Sequence, residues 1–177
     1  MPGKNIRRFV TGHNANGKST FLMDDDAPNV VVLEKMGGLK VTELWETFDA
    51  PADNRGTQDN ADRALHLEPA ARGTIFRIVD FPPDAAWKAG ASGVAAFAEL
   101  QAGHAVDTSS SDPGMHKTAS VDYALVLEGE IWAVMDTAER LMKPGDVLIQ
   151  RGTNHAWANR TDKSSRVMFV LCGAHLV

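Results

Sequence analysis

The chain has 177 residues, of which 44% are apolar and 23% charged, with a net charge of −5. That length can bury one substantial core, and that balance is ordinary for a globular protein. It argues against a nucleic-acid surface, which needs clustered Lys and Arg, and no stretch approaches the ~20 apolar residues of a membrane span. The single cysteine, Cys172, leaves no intramolecular disulfide and no Cys-based zinc cluster. Its setting, VMFVLCGA, predicts an inert buried thiol. The opening MPGKNIRRFV lacks the apolar run of a signal peptide, so the expected location is cytoplasmic.

In chain order, the first element is a hairpin, with RRFVT (7–11) and KSTFLM (18–23) as strands. Between them, residues 12–19 read GHNANGKS, which fits the phosphate-loop pattern G-x-x-x-x-G-K-[S/T] at every position. The context disagrees. That loop must follow an apolar parallel strand and open a helix. Here Arg7 and Arg8 precede it, and Pro28 and three acidic residues, Asp24 to Asp26, leave a helix no room. Asn14, Asn16 and Gly17 suit a turn instead, with Lys18 exposed.

Further strands follow at NVVVLEK (29–35), LKVTELWETF (39–48) and GTIFRIVDF (73–81). Alternation in the second of these puts Val41, Glu43, Trp45 and Thr47 on one face. Residues 50–72 are polar and carry Pro51, Gly56 and Pro69, so an excursion loop of lid or binding type is expected. Residues 84–101, DAAWKAGASGVAAFAELQ, contain one short helix, broken or delayed by Gly90 and Gly93. After residue 120 the hairpins are dense: DYALVLEG (122–129), EIWAVMD (130–136), AERLMK (138–143), DVLIQR (146–151), HAWANR (155–160) and RVMFVLCGA (166–174). This spacing predicts one all-β unit over residues 1–177, a barrel or sandwich with extra N-terminal strands in residues 1–80.

The segment from residue 114 to 174 carries the chemistry. His116, Thr118 and Asp122 lie at even offsets, so an extended chain puts them on one face, with Ala124 and Val126 continuing it inward. Downstream, PGDVLIQRGTNHAWAN supplies Pro144, Gly145, Gly152, His155 and Asn159. These two stretches resemble the cupin superfamily. Its first motif runs H-x-H, three or four residues, E, six residues, G; its second centres on a histidine with an asparagine four residues on. Thr118 stands where the second histidine belongs and Asp122 where the glutamate belongs, while Gly129 keeps its place.

The resemblance implies an antiparallel jelly-roll barrel. It also implies a site at the mouth that holds one divalent metal (Fe, Mn, Zn or Ni) on His116, Asp122 and His155. A metal-free barrel is the open alternative, given the missing histidine and the shorter carboxylate. The expected function is a small-molecule enzyme, metal-dependent or not: a dioxygenase, decarboxylase or isomerase acting on an organic acid, phenolic or sugar-derived substrate. The alternative is a non-catalytic binding or sensing module. Gln150 and Tyr123 are the candidate proton-handling or orienting groups, although Tyr123 follows Asp122 and so faces away from it. Thr118, Trp132, Trp157 and Arg77 are the candidate substrate contacts. Arg77 either meets a carboxylate or, by alternation, faces solvent. The expected partners are a small ligand and a second copy in a homodimer, with no nucleic acid and no membrane.

Overall fold

The computed structural model describes residues 4–176. Among the described residues the chain forms eleven strands: β1 (Arg7–His13), β2 (Ser19–Asp26), β3 (Val30–Leu33), β4 (Leu39–Thr47), β5 (Thr74–Phe81), β6 (Ser120–Glu128), β7 (Ile131–Met135), β8 (Glu139–Met142), β9 (Val147–Arg151), β10 (His155–Ala158) and β11 (Ser165–Gly173). Each of the eleven runs expected from the sequence forms one of them. All pairings are antiparallel. One sheet has the order β3-β4-β5-β11-β6-β9, a second has β10-β7-β8, and β1-β2 stand as a separate hairpin. No helix is long and apolar enough to cross a membrane.

Side-chain alternation closes the two larger sheets over a common core. In β6, Asp122, Ala124 and Val126 are buried, whereas Tyr123 and Leu127 are exposed. In β11, Val167, Phe169 and Leu171 face the same interior as Ile75 and Val79 of β5. Ile131 and Ala133 of β7 supply the opposing wall. β4 departs from simple alternation. A bulge between Glu43 and Trp45 inserts one residue, so Trp45 pairs with Phe76 and Glu46 with Ile75. The expected shared face of Val41, Glu43, Trp45 and Thr47 is therefore broken. Glu43 and Glu46 are both fully buried, and Trp45 is only half-buried.

The GHNANGKS stretch is the end of the β1-β2 hairpin. The Asn14 side-chain oxygen accepts hydrogen bonds from the backbone N–H of Asn16 and Lys18, at 2.9 and 3.0 Å. Gly17 turns the chain at φ 70°. A strand follows where a phosphate loop needs a helix, and Lys18 is exposed. The nucleotide reading thus lacks its structural requirement.

The helical segment is shorter than its apolar spacing suggests. Only Gly93–Phe97 forms an α-helix, here α1, capped by the Ser92 hydroxyl, which accepts from the N–H of Ala95 at 3.3 Å. Gly93 permits a close approach, because a Cβ there would lie 2.4 Å from the carbonyl oxygen of Pro113. The excursion of residues 50–72 forms no strand or helix, but it is anchored. Asp59 pairs with Arg8, and Ala61 and Leu65 are buried.

Gly129 turns β6 into β7 at φ 74°, and a Cβ there would meet Ser165 at 2.9 to 3.0 Å. Gly145 has φ 94° but open space around it. Left-handed backbone alone costs a non-glycine residue roughly 1–3 kcal/mol. Gly129→Ala should therefore lower stability in urea melts by clearly more than Gly145→Ala. Equal losses would show that the Ser165 contact does not matter.

Candidate functional site

The site begins with a backbone pairing between the two motifs. The N–H of His116 donates to the carbonyl of His155 at 2.8 Å, and the N–H of His155 donates back at 2.9 Å. This isolated bridge ties the segment leading into β6 to the start of β10, which belongs to the other sheet. It sets the two imidazoles side by side, with ring centroids 4.2 Å apart. Phe97 of α1 covers His116 at 4.6 Å. Each ring holds its Nδ1 on a carbonyl: that of Gly114 at 2.8 Å for His116, and that of Thr153 at 3.0 Å for His155. A neutral ring so held carries its proton on Nδ1 and presents a lone pair at Nε2. Both rings are neutral at physiological pH. Burial pushes His116 down to about 3, with the His155 ring adding to the effect, and burial pushes His155 down to about 4.

Asp122 and Arg77 supply the charge. Asp122 is buried, and its Oδ1 has no hydrogen-bond partner. Burial pushes its carboxyl up to about 6, while the charge of Arg77 pulls the other way. Arg77 is likewise buried, so the solvent-facing reading of this residue does not hold. Its Nε lies 3.0 Å from Oε1 of Glu43, an ion pair without good hydrogen-bond alignment, and it donates from a terminal nitrogen to the His66 carbonyl at 2.7 Å. Arg63, from the 50–72 excursion, pairs with Glu43 at 2.8 Å and also with Glu46. The excursion is thus a plug that completes a buried charge network.

His116, His155, Thr118, Asp122, Arg77 and Trp157 all line one cavity inside the barrel. The rest of its wall is mainly apolar, including Met36, Val79, Phe81, Trp87, Phe97 and Phe169. Trp157 stands edge-on to Phe169 with centroids 5.3 Å apart. Three sequence candidates lie elsewhere. Tyr123 is 47% exposed on the outer sheet face, as parity required, and does not line the cavity. Trp132 sits under the guanidinium of Arg160, 4.7 Å from ring to charge, on β7, the central strand of the second sheet. Gln150 is buried but turned aside. Its amide donates to the carbonyl and hydroxyl of Thr153 at 2.8 and 2.7 Å, so it fixes the loop whose carbonyl holds the His155 ring. Asn159 is structural, donating to the carbonyls of Phe81 and Lys163. The cysteine is half-buried rather than enclosed.

Comparison with known proteins gives the family. A cupin-domain-containing oxidoreductase of Neurospora crassa is 30% identical over 181 residues, covering 96% of this chain and 76% of the relative. The chain belongs to the cupin superfamily. A phomopsin biosynthesis cluster protein of Diaporthe leptostromiformis is 32% identical over 171 residues, covering 92% of this chain and 76% of the relative. Among solved structures, the cupin domain of Cnp3 from Schizosaccharomyces pombe covers 97% of this chain and 89% of its own, at 12% identity and a TM-score of 0.47. No family model matches the chain.

The side chains present meet the cupin metal set only in part. The two imidazoles are donors of the right kind. However, among the described residues no group of three or more His, Cys, Asp or Glu side chains is close enough together to hold a metal ion. Thr118 occupies the place of the second histidine, and its hydroxyl accepts from Ser120 at 3.0 Å. Asp122 is one methylene shorter than glutamate. The set does not fit a centre of two histidines and a carboxylate.

The raised Asp122 carboxyl carries a testable sign. Its protonated form is favoured in the folded state, so it adds no penalty below the ordinary carboxylate value of 3.8. The penalty then grows as pH rises and is complete above about 6. Asp122→Asn should therefore melt higher than wild type at pH 8, with the gap closing by pH 4. A constant gap across that range would show that Asp122 is not desolvated.

Proposed function

We propose that this chain is a cupin enzyme that binds one small, largely apolar organic molecule in the barrel cavity and transfers protons on it. The observation that carries the reading is the unpartnered, buried Oδ1 of Asp122 facing a cavity that also holds two neutral imidazoles. A general base works best with a pKa near the operating pH, and Asp122 has been pushed up to about 6. Asp122 takes a proton from the carbon next to a carbonyl. Where that carbon also adjoins a carbon–carbon double bond, the negative charge spreads onto the double bond, and Asp122 returns the proton at its far carbon. No electrons are lost, so the step is an isomerisation and needs no oxidant. The Nε2 atoms of His116 and His155 accept hydrogen bonds from the bound molecule and orient it. The fungal relatives are named as oxidoreductases and biosynthesis cluster proteins, which supports small-molecule chemistry. Proton transfer is the part of such chemistry that these side chains can perform themselves.

The second reading is a binding module without catalysis, favoured by the departures from the cupin motif at Thr118 and Asp122. Solvent-deuterium exchange into a panel of small cyclic hydroxyketones, followed by NMR, separates the two. Wild type should catalyse exchange on at least one member. Asp122→Asn should reduce the rate by about 10²-fold or more, and dialysis against EDTA should leave it within about two-fold. Absence of exchange across the panel would leave the binding module as the better account. Loss of exchange on chelation would show that a metal is needed despite the donor geometry.

A further inference from the structure

The cavity floor accepts hydrogen bonds far better than it donates them. Asp122 Oδ1 is buried and unpartnered. The two imidazoles present Nε2 lone pairs, because both Nδ1 atoms are held by carbonyls. Thr118, which receives the Ser120 hydroxyl, keeps one O–H proton to give. Arg77 is the residue that would attract a carboxylate, yet its charge is matched. Behind it lie Glu43 and Glu46 against Arg63 and Arg77, two charges of each sign, all linked by ion pairs. His66, beside Glu46, adds no cation, since burial lowers its pKa. With Asp122 included, the floor has no spare positive charge.

A carboxylate placed there would meet a carboxyl group and two ring lone pairs. An ether oxygen would leave the same three acceptors unmet. A hydroxyl group both donates and accepts, so it satisfies Asp122 or an imidazole while taking the Thr118 proton. The walls supply aromatic and aliphatic surface, which suits a ring better than a polyol. The space is about 100 Å³, below the roughly 150 Å³ of a cavity that encloses benzene, so the ligand is no larger than a single ring and keeps one edge at the cavity mouth.

We infer that the barrel cavity selects a neutral, hydroxyl-bearing ring compound and rejects a carboxylate of the same size, because Glu43 matches the charge of Arg77. The inference rests on the cavity being the ligand site, as proposed above, and it deepens that reading by naming the ligand class. It also reassigns Arg77, which the sequence offered as a carboxylate partner.

The test is a fluorescence titration at pH 7.5 with EDTA present, since Trp87 and Trp157 line the cavity and report on binding. The probes are catechol, benzoate and 1,2-dimethoxybenzene. Catechol should bind at least 10-fold more tightly than either of the others. Benzoate binding as tightly as catechol would overturn the inference, and so would an absence of catechol binding. In Glu43→Gln, benzoate should gain at least 10-fold as the Arg77 charge is released. That variant also breaks a buried ion pair, so Asp122→Asn is the second. It replaces the acceptor with an amide that can donate, and the catechol-to-benzoate preference should fall at least 10-fold; an unchanged preference would count against the inference. Selective binding without deuterium exchange would sink the proposed catalysis and leave the ligand class standing. Exchange with indiscriminate binding would do the reverse.

Discussion

The site depends on one pair of backbone hydrogen bonds, those exchanged by His116 and His155. They join two sheets that otherwise meet through side chains, and they do so at the place where both motif histidines lie. Two residues that exchange both bonds in an antiparallel bridge carry their side chains to the same face. The ring spacing of 4.2 Å is thus fixed by main chain rather than by a bound group. The carbonyls of Gly114 and Thr153 then set both tautomers. Gln150 extends the arrangement outward by holding Thr153. A pair of imidazoles presenting Nε2 lone pairs is therefore built into the barrel closure.

The opposite wall obeys a different constraint. Arg77 and Glu43 face inward from neighbouring strands, where an unmatched charge would be very costly. The β4 bulge places Glu46 on the same interior side, and Arg63 arrives from the 50–72 excursion to bind both carboxylates. That excursion is part of the core charge balance. Its polar sequence hides this, because the residues that matter, Arg63 and His66, are spaced among Pro, Gly and Asp like any loop.

The strands were legible because each keeps its own local signal: β-branched and aromatic runs, punctuated by turn residues. The cupin barrel followed from motif spacing around Gly129 and His155. The phosphate-loop letters failed for a reason also visible locally, the lack of any helix-forming stretch after Lys18. The bulge in β4 was not legible. Nothing in KVTELWETF distinguishes strict alternation from alternation with one inserted residue, and the inward face changes at the insertion. The roof of the cavity was also hidden, since Trp87 and Phe97 come from a segment that reads as an ordinary amphipathic helix. Trp132 and Trp157 show the same limit. Both are tryptophans on paired strands β7 and β10, yet one stacks under Arg160 on the outside and the other lines the cavity. Gln150 failed as a direct contact for a related reason: strand parity turns it inward, while Thr153 captures its amide.

The two departures from the cupin motif belong together. A threonine at position 118 removes an imidazole and leaves a hydroxyl that Ser120 already engages. An aspartate at position 122 retracts the carboxyl by one methylene, toward Ser120 and the field of Arg77. Either change alone would weaken a metal centre. Together they leave a carboxyl group with one free oxygen, desolvated enough to sit near neutrality, opposite two neutral rings. That combination has its own chemistry. A buried base of moderate strength needs a substrate proton acidified by a neighbouring carbonyl, and it needs a cation nearby that does not neutralise it. Arg77 meets the second condition because Glu43 holds its charge at a fixed distance. Removing Glu43 would leave the Arg77 charge unmatched beside the cavity, lower the Asp122 carboxyl pKa and weaken the base. The ion pair behind the cavity therefore governs the strength of the base as well as the choice of ligand.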